Sequence, residues 1–321
     1  MASPAAATAA DLLRQVIELE RQSGPDAPDT WDVVTKLRQL LATLPSRDVF
    51  ALIDSVCHTA DDLEDDQGYW ACISELRHRN DHSTFAACAT WTRDAQVARR
   101  RAAAHVLRDF GNSDGKRRFA APAQAVLEPL LEDSDVTVVT AALYACGELN
   151  VCSPDELARF ASHSDAQLRY AVAFTLGGRH DPLSTGTLID LTHDVDASVR
   201  NWATFGLAQQ TEVDTPAIRA ALLARIDDSD LELGAEIRGE ALIGLAARQD
   251  PRVLAQLERE LAGEFHGAWC IKAASMLRAP SLGPLLAALK ARLDPEDLHA
   301  FGDELDAAIA ACGGANQTSA S

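Results

Sequence analysis

Along this chain apolar residues recur at three- and four-residue intervals, in runs of about ten residues separated by turns rich in Asp, Pro and Gly; that spacing is the one-sided pattern of an amphipathic helix. The runs also repeat. Aligned on one arginine, LRYAVAFTLGG (168–178), VRNWATFGLAQ (199–209) and IRGEALIGLAA (237–247) are copies of one helix, with a degenerate copy, VVTAALYACGE (138–148), before them and a weaker one around Arg100 in RRRAAAHVLRD (99–109). The anchors Val139, Arg169, Arg200 and Arg238 lie 30, 31 and 38 residues apart, and the longest interval carries the acidic insertion DDSDLELGAE (227–236). Such a period marks a repeat architecture.

Aspartates precede each copy: Asp133 and Asp135, Asp165, Asp194 and Asp196, Asp228 and Asp230. An Asp before an apolar run is a helix start, because its carboxylate accepts orphan backbone N–H groups. Upstream of each lies a second apolar segment (126–133, 154–163, 182–194, 216–228), and Pro122, Pro154, Pro182, Pro216 and Pro251 stand near the starts of such segments, where a missing N–H is harmless. The unit is helix, Asp-rich turn, helix, short loop.

This unit resembles the HEAT repeat, in the short variety of phycobilin lyases; DVDASVRNWATFGLA (194–208) matches the D-x-D-x-x-V-R-x-x-A-x-x-x-L-G signature best. The resemblance covers roughly residues 94–280 and implies an all-α fold, a right-handed α-α superhelix of the HEAT/armadillo solenoid type. It further implies that second helices line a concave face, and that Asp165, Arg169, Asp196, Arg200 and Arg238 form an inter-repeat ladder, interrupted at Val139. Outside the repeats, residues 1–30 read as a flexible region with one short helix, 31–93 as degenerate capping pairs and 281–312 as C-terminal capping helices, while the first ten residues and 313–321 read as disordered. The whole is expected to be one array of six to nine helix pairs.

With the anchor arginine as position zero and 100° per residue, the recurrent small and aliphatic positions fall on one side. The opposite side carries, at +5, Tyr144, Phe174, Phe205 and Ile243, with Trp202 on the flank and the polar Tyr170, Asn201 and Glu240 nearby. Rings at one outward position in successive copies form a stripe. An exposed apolar stripe marks a binding surface; the competing reading is that the rings fill space between neighbouring second helices.

Composition agrees with packed helices: 47% hydrophobic residues but only 5% aromatic, so the apolar fraction rests on Ala, Leu and Val. The net charge of −19 repels polyanions and anionic lipid. Seven scattered cysteines without a C-x-x-C pair suit a reducing compartment. The start lacks a basic residue before Arg14 and no apolar run approaches membrane length, so a cytoplasmic location without membrane contact is expected.

Catalytic motifs do not emerge. No histidine is followed by Glu, unlike the di-iron dipeptides of HEAT-type hydroxylases, and His180-Asp181 and His193-Asp194 read better as turn residues than as metal ligands. No cysteine sits in a basic context that would activate it. No P-loop, G-x-G-x-x-G or G-x-S-x-G occurs. Arg93–Arg118 is locally basic, centred on Arg99, Arg100 and Arg101, but the surrounding acidic field disfavours nucleic acid; this segment either meets an acidic partner or pairs internally. The expectation is a scaffold without catalytic residues, metal or cofactor that binds a protein or peptide on its concave face. The alternatives are a chromophore-directed enzyme or enzyme partner of the phycobilin-lyase type, and nucleic-acid contact through the basic segment.

Overall fold

A computed structural model describes residues 3–24, 27–57, 66–110, 112–113, 116–263 and 268–313. The fold is all-α, of the HEAT-type solenoid class: apart from a two-residue antiparallel pairing of Asn112–Ser113 with Lys116–Arg117, the regular elements are helices. They fall into two compact units, residues 1–153 and 154–321. The first unit holds α1 (Pro4–Ser23), α2 (Pro28–Leu41), α3 (Ser46–Cys57), α4 (Gln67–Arg79), α5 (His82–Trp91), α6 (Val97–Leu107), α7 (Ala120–Leu127) and α8 (Val136–Leu149). The second holds α9 (Pro154–Ala158), α10 (Ala166–Leu176), α11 (Pro182–Leu191), α12 (Ala197–Gln209), α13 (Pro216–Leu223), α14 (Gly234–Ala247), α15 (Leu254–Ala262), α16 (Trp269–Leu277), α17 (Leu282–Arg292) and α18 (Pro295–Gly313).

Within each unit the second helices of the pairs stack into one layer, α2–α4–α6–α8 and α10–α12–α14–α16–α18, and first helices such as α3, α5, α11 and α13 back them. Local chemistry sets the helix starts. Asp66, Asp81, Asp135, Asp165, Asp181 and Asp196 each accept a backbone N–H from the first turn of the following helix, and Pro182 and Pro216 occupy the first turns of α11 and α13.

The N-terminal segment differs from its expectation. Rather than a flexible stretch with a short helix, α1 runs 20 residues from a cap at Ser3 and buries Ala6, Ala9, Leu13 and Val16. Its alanine-rich start has a weak hydrophobic signal, yet Ala has the highest helix propensity and its small methyl permits close packing. The division between units at 153/154 also falls inside the span 94–280 expected to be one continuous array. Residues 314–321 of the expected disordered tail lie outside the described residues, whereas Gly313 closes α18.

In the second unit α14 approaches α12 closely at Gly244, where an added Cβ would lie 2.7 Å from the Cβ and 2.8 Å from the Cα of Ala208. Backbone cannot swing aside as a flexible side chain can, so Gly244→Ala should destabilise by about 1–3 kcal/mol, read as a lower urea midpoint; an unchanged midpoint would contradict this packing.

Candidate functional site

The second-helix layer of the second unit carries a cluster of four rings. Trp202 of α12 stacks on Phe174 of α10 with centroids 5.3 Å apart and planes at 12°. Tyr170 lies 5.7 Å away on one side and Phe205 5.3 Å on the other. All four are half-buried. Trp202, placed on the flank by the register, is therefore the hub, because the preceding helix of the layer, α10, brings Tyr170 and Phe174 against that flank. Its indole Nε1 and the Oδ1 of Asn201 are both enclosed without a hydrogen-bond partner among the described residues.

Beyond Phe205 the layer becomes polar and then grooved. The Gln209 amide donates to Glu240 and accepts from Lys272. Burial pushes the Glu240 carboxyl above its ordinary range, against the pull of the Gln209 amide and Lys272. A cavity of about 300 Å³ lies between Gln209, Ile243, Arg248 and Met276, and a second of about 250 Å³ between Ile271, Lys272, Met276 and Ala307.

Ile243 does not extend the stripe outward, as its position in the repeat suggested. It is 2% exposed, and Glu240 is 8% exposed. Ten of the 14 residues of α14 are buried, because α12, α13 and α16 pack around it and Trp269 lies against Gly239. The middle of α14, Gly239–Ala246, therefore presents no stripe of exposed side chains to a partner. In the first unit Tyr144 lies beneath the guanidinium of Arg108, 5.0 Å from the ring centroid.

The ladder residues divide into two groups. Arg169 grips Asp194 through Nε and Nη2 at 2.6 and 2.7 Å while its Nη1 donates to the carbonyls of His163 and Ser164. Arg200 holds Asp228 at 3.0 and 3.2 Å and donates to the carbonyls of Asp194 and Val195. Asp165 and Asp196 are not the ion-pair partners expected of them; they cap α10 and α12. The turns at 133–135 and 194–196 thus split their roles, the first Asp receiving the arginine of the preceding repeat and the second starting the helix; at 228–230 Asp228 receives Arg200, while Asp230 accepts from the N–H groups of Glu232 and Leu233 ahead of α14. Arg238 ends the series by donating to the carbonyl of Asp228. Where the arginine is replaced by Val139, the first Asp of the following turn is replaced as well, by His163, whose Nδ1 accepts from the Asp165 N–H.

The expected basic patch is dispersed by the same chemistry. Arg99 is held by Asp54 and Asp94, and Arg100 makes a two-pronged bond to Asp133 at 2.6 and 2.9 Å, as a further ladder rung. Of these three central arginines, Arg101 alone forms no ion pair among the described residues. Of the two His-Asp pairs, His180 bonds Thr211 and Asp181 caps α11, while His193 bonds its own helix end and Asp194 belongs to Arg169. Among the described residues no group of three or more His, Cys, Asp or Glu converges as metal ligands would. The described cysteines are buried; burial raises the Cys88, Cys270 and Cys312 thiols, Cys270 to about 11, which holds them in the unreactive protonated form. No described helix is long and apolar enough to cross a membrane.

No family model matches the chain. Protein YibA of Escherichia coli strain K12, and its counterpart in Escherichia coli O157:H7, are each 31% identical to it over 138 residues, 43% of this chain and 48% of YibA. The chain thus aligns with about half the length of these curated relatives. A crystal structure of E. coli YibA superimposes with a TM-score of 0.66 at 22% identity, over 87% of this chain and 96% of that one. An engineered protein matches with a TM-score of 0.52 at 13% identity, over 96% and 94% of the two chains. The likeness is one of fold. It shows an all-α helical solenoid and leaves the task to the site.

Proposed function

We propose that the protein is a non-catalytic cytoplasmic scaffold or adaptor that binds a protein or peptide on the face formed by its second helices. The observation that carries this reading is the half-buried cluster of Tyr170, Phe174, Trp202 and Phe205. Amphipathic rings gathered at a partly exposed place are the usual anchors of protein interfaces, and the two cavities along Met276 give a partner's side chains somewhere to enter. Tyr144 supplies a further ring in the first unit, and Asn201 a buried polar atom beside the cluster. A chromophore-directed activity of the phycobilin-lyase type is the reading this one displaces; it would show as visible absorbance in protein purified from its native host.

The test is a comparative pull-down from native lysate read by mass spectrometry. One bait is wild type and the other carries Tyr144→Ala, Phe174→Ala and Phe205→Ala, with helix content checked by circular dichroism. Because the rings are half-buried, the variant should remain folded and lose a partner that wild type retains. Identical partners on both baits would assign the rings to internal packing.

A further inference from the structure

We propose that Arg77 of α4 and Arg101 and Arg108 of α6, with the rings of Trp70 and Tyr144, form a second site that binds carboxylate side chains of an acidic segment in a partner protein. Arg101 and Arg108 stand four residues before and three residues after His105, one helical turn on either side, and Arg77 of α4 bonds the His105 carbonyl. His105 of α6 bonds the Tyr69 hydroxyl through Nδ1 at 2.7 Å and packs 4.8 Å from Trp70. Burial, reinforced by Arg77, Arg101 and Arg108, holds its pKa down at about 3, so at neutral pH it adds no charge of its own. Arg77 is fastened by its Nε to the His105 carbonyl at 2.8 Å and lies 5.7 Å from the Trp70 ring centroid. Burial, then the charge of Arg108, lowers its pKa to about 10.

What separates Arg77 and Arg101 from the ladder arginines is their pairing. The chain has 48 acidic residues against 29 basic ones, and its half-buried Arg99, Arg100 and Arg200 and its buried Arg169 are each gripped by Asp. Arg77 and Arg101 form no ion pair among the described residues. Arg77 Nη2 and Arg101 Nε are enclosed and have no hydrogen-bond partner, a costly state for a charged donor. Arg108 holds Glu148 at 2.9 Å. The side chains as wholes are half-buried, so a carboxylate brought by a partner would pair with the accessible part of guanidinium groups that the chain leaves without a carboxylate, through charge-assisted bonds, while the half-buried Trp70 and Tyr144 receive the apolar part of the same segment.

The charge of the whole molecule selects the class of ligand. Three guanidinium groups offer few phosphate contacts, and a net charge of −19 repels a long polyanion more than a short acidic stretch. The site shares Tyr144 with the proposed function but uses none of the rings of the second unit, so variants at Arg77 and Arg101 and variants at Phe174 and Phe205 test the two readings separately.

Binding of a rhodamine-labelled hexaglutamate peptide to the full chain, followed by fluorescence anisotropy, tests it. Wild type should bind, more weakly at about 300 mM than at about 50 mM salt. Arg77→Gln with Arg101→Gln should weaken binding about tenfold or more. Arg47→Gln with Arg93→Gln removes the same charge from exposed positions and should change it less than about twofold, since exposed charges act weakly. If the first pair is unfolded by circular dichroism, Arg108→Gln decides: a loss supports the site and an unchanged affinity overturns it. Absence of peptide binding, equal loss in the control pair, or stronger competition by a single-stranded oligonucleotide of equal charge would each overturn it. Phe174→Ala with Phe205→Ala should bind the peptide as wild type does, which separates this site from the aromatic cluster.

Discussion

Arg248→Met should lower the stability of the protein by on the order of 3–5 kcal/mol, more than any single change at the aromatic cluster. The Arg248 side chain is 6% exposed, and its guanidinium donates to the carbonyls of Leu207, Ala208, Thr211, Val213 and Gly244 at 2.8 to 3.4 Å. Leu207 and Ala208 lie in the last turn of α12, where carbonyls have no partner further along the helix. One side chain from the end of α14 therefore closes the end of α12 and the loop after it. Methionine keeps much of the apolar stem and removes every donor, leaving buried carbonyls unpaired. Thermal melts should show a fall of about 10 °C. Arg248→Lys should recover only part of it, since one ammonium cannot span five acceptors. A loss below about 1 kcal/mol would mean that water replaces the guanidinium at little cost.

The second large effect is acid instability. The Arg100 fork holds the Asp133 carboxyl below the usual range. At Asp194 and Asp228 burial pushes the other way and is outweighed by Arg169 or Arg200 together with backbone N–H groups. Asp250, 2% exposed, is held lower still by Arg252 and Arg219. A carboxylate whose folded pKa is depressed contributes stability above its unfolded pKa of about 4, and that contribution is lost as pH falls toward the folded value. Asp66 and Glu240, raised by burial, act in the opposite sense and are relieved by protonation, but they are fewer. Melting followed by circular dichroism should hold steady from pH 7 to about 5 and drop by about 10 °C or more by pH 3. Asp194→Asn should melt lower at pH 7 and show a shallower acid limb. A melting point independent of pH would show that the ladder contributes nothing net.

Much of the fold was legible because its determinants are local and repeated. The arginine anchors, the D-x-D turns and the apolar spacing each recur, and recurrence fixes a helix pair even where one copy decays, as at Val139. The position of α1 was less legible, since alanines carry little hydrophobic contrast until neighbouring helices show where they pack. Which Asp of each turn meets the arginine depends on how far one repeat is displaced along the next, and spacing within a single copy does not contain that distance. The same holds for Trp202: a helical wheel places it on a flank, and only the adjacent helix makes that flank the centre of four rings. Ile243 was assigned outward by the wheel and inward by α16. Arg77, Arg101 and Arg108 come from two helices whose sequences show no mutual signal, and Arg248, at the end of an ordinary repeat, looks like any surface arginine.

The forks of Arg169 and Arg200 also act as stays. Each is tied on one side to carbonyls of its own turn and on the other to the carboxylate of the turn that follows, with hydrogen bonds of 2.6 to 3.2 Å leaving little slack. Flexing one repeat against its neighbour changes the gap between successive turns, and the forks span that gap. Their tension therefore sets the elastic stiffness of this stretch of the second unit, while the apolar contacts behind them, being non-directional, allow the helices to slide. Such a stretch bends as a sprung hinge does, returning to one rest curvature when the load is removed.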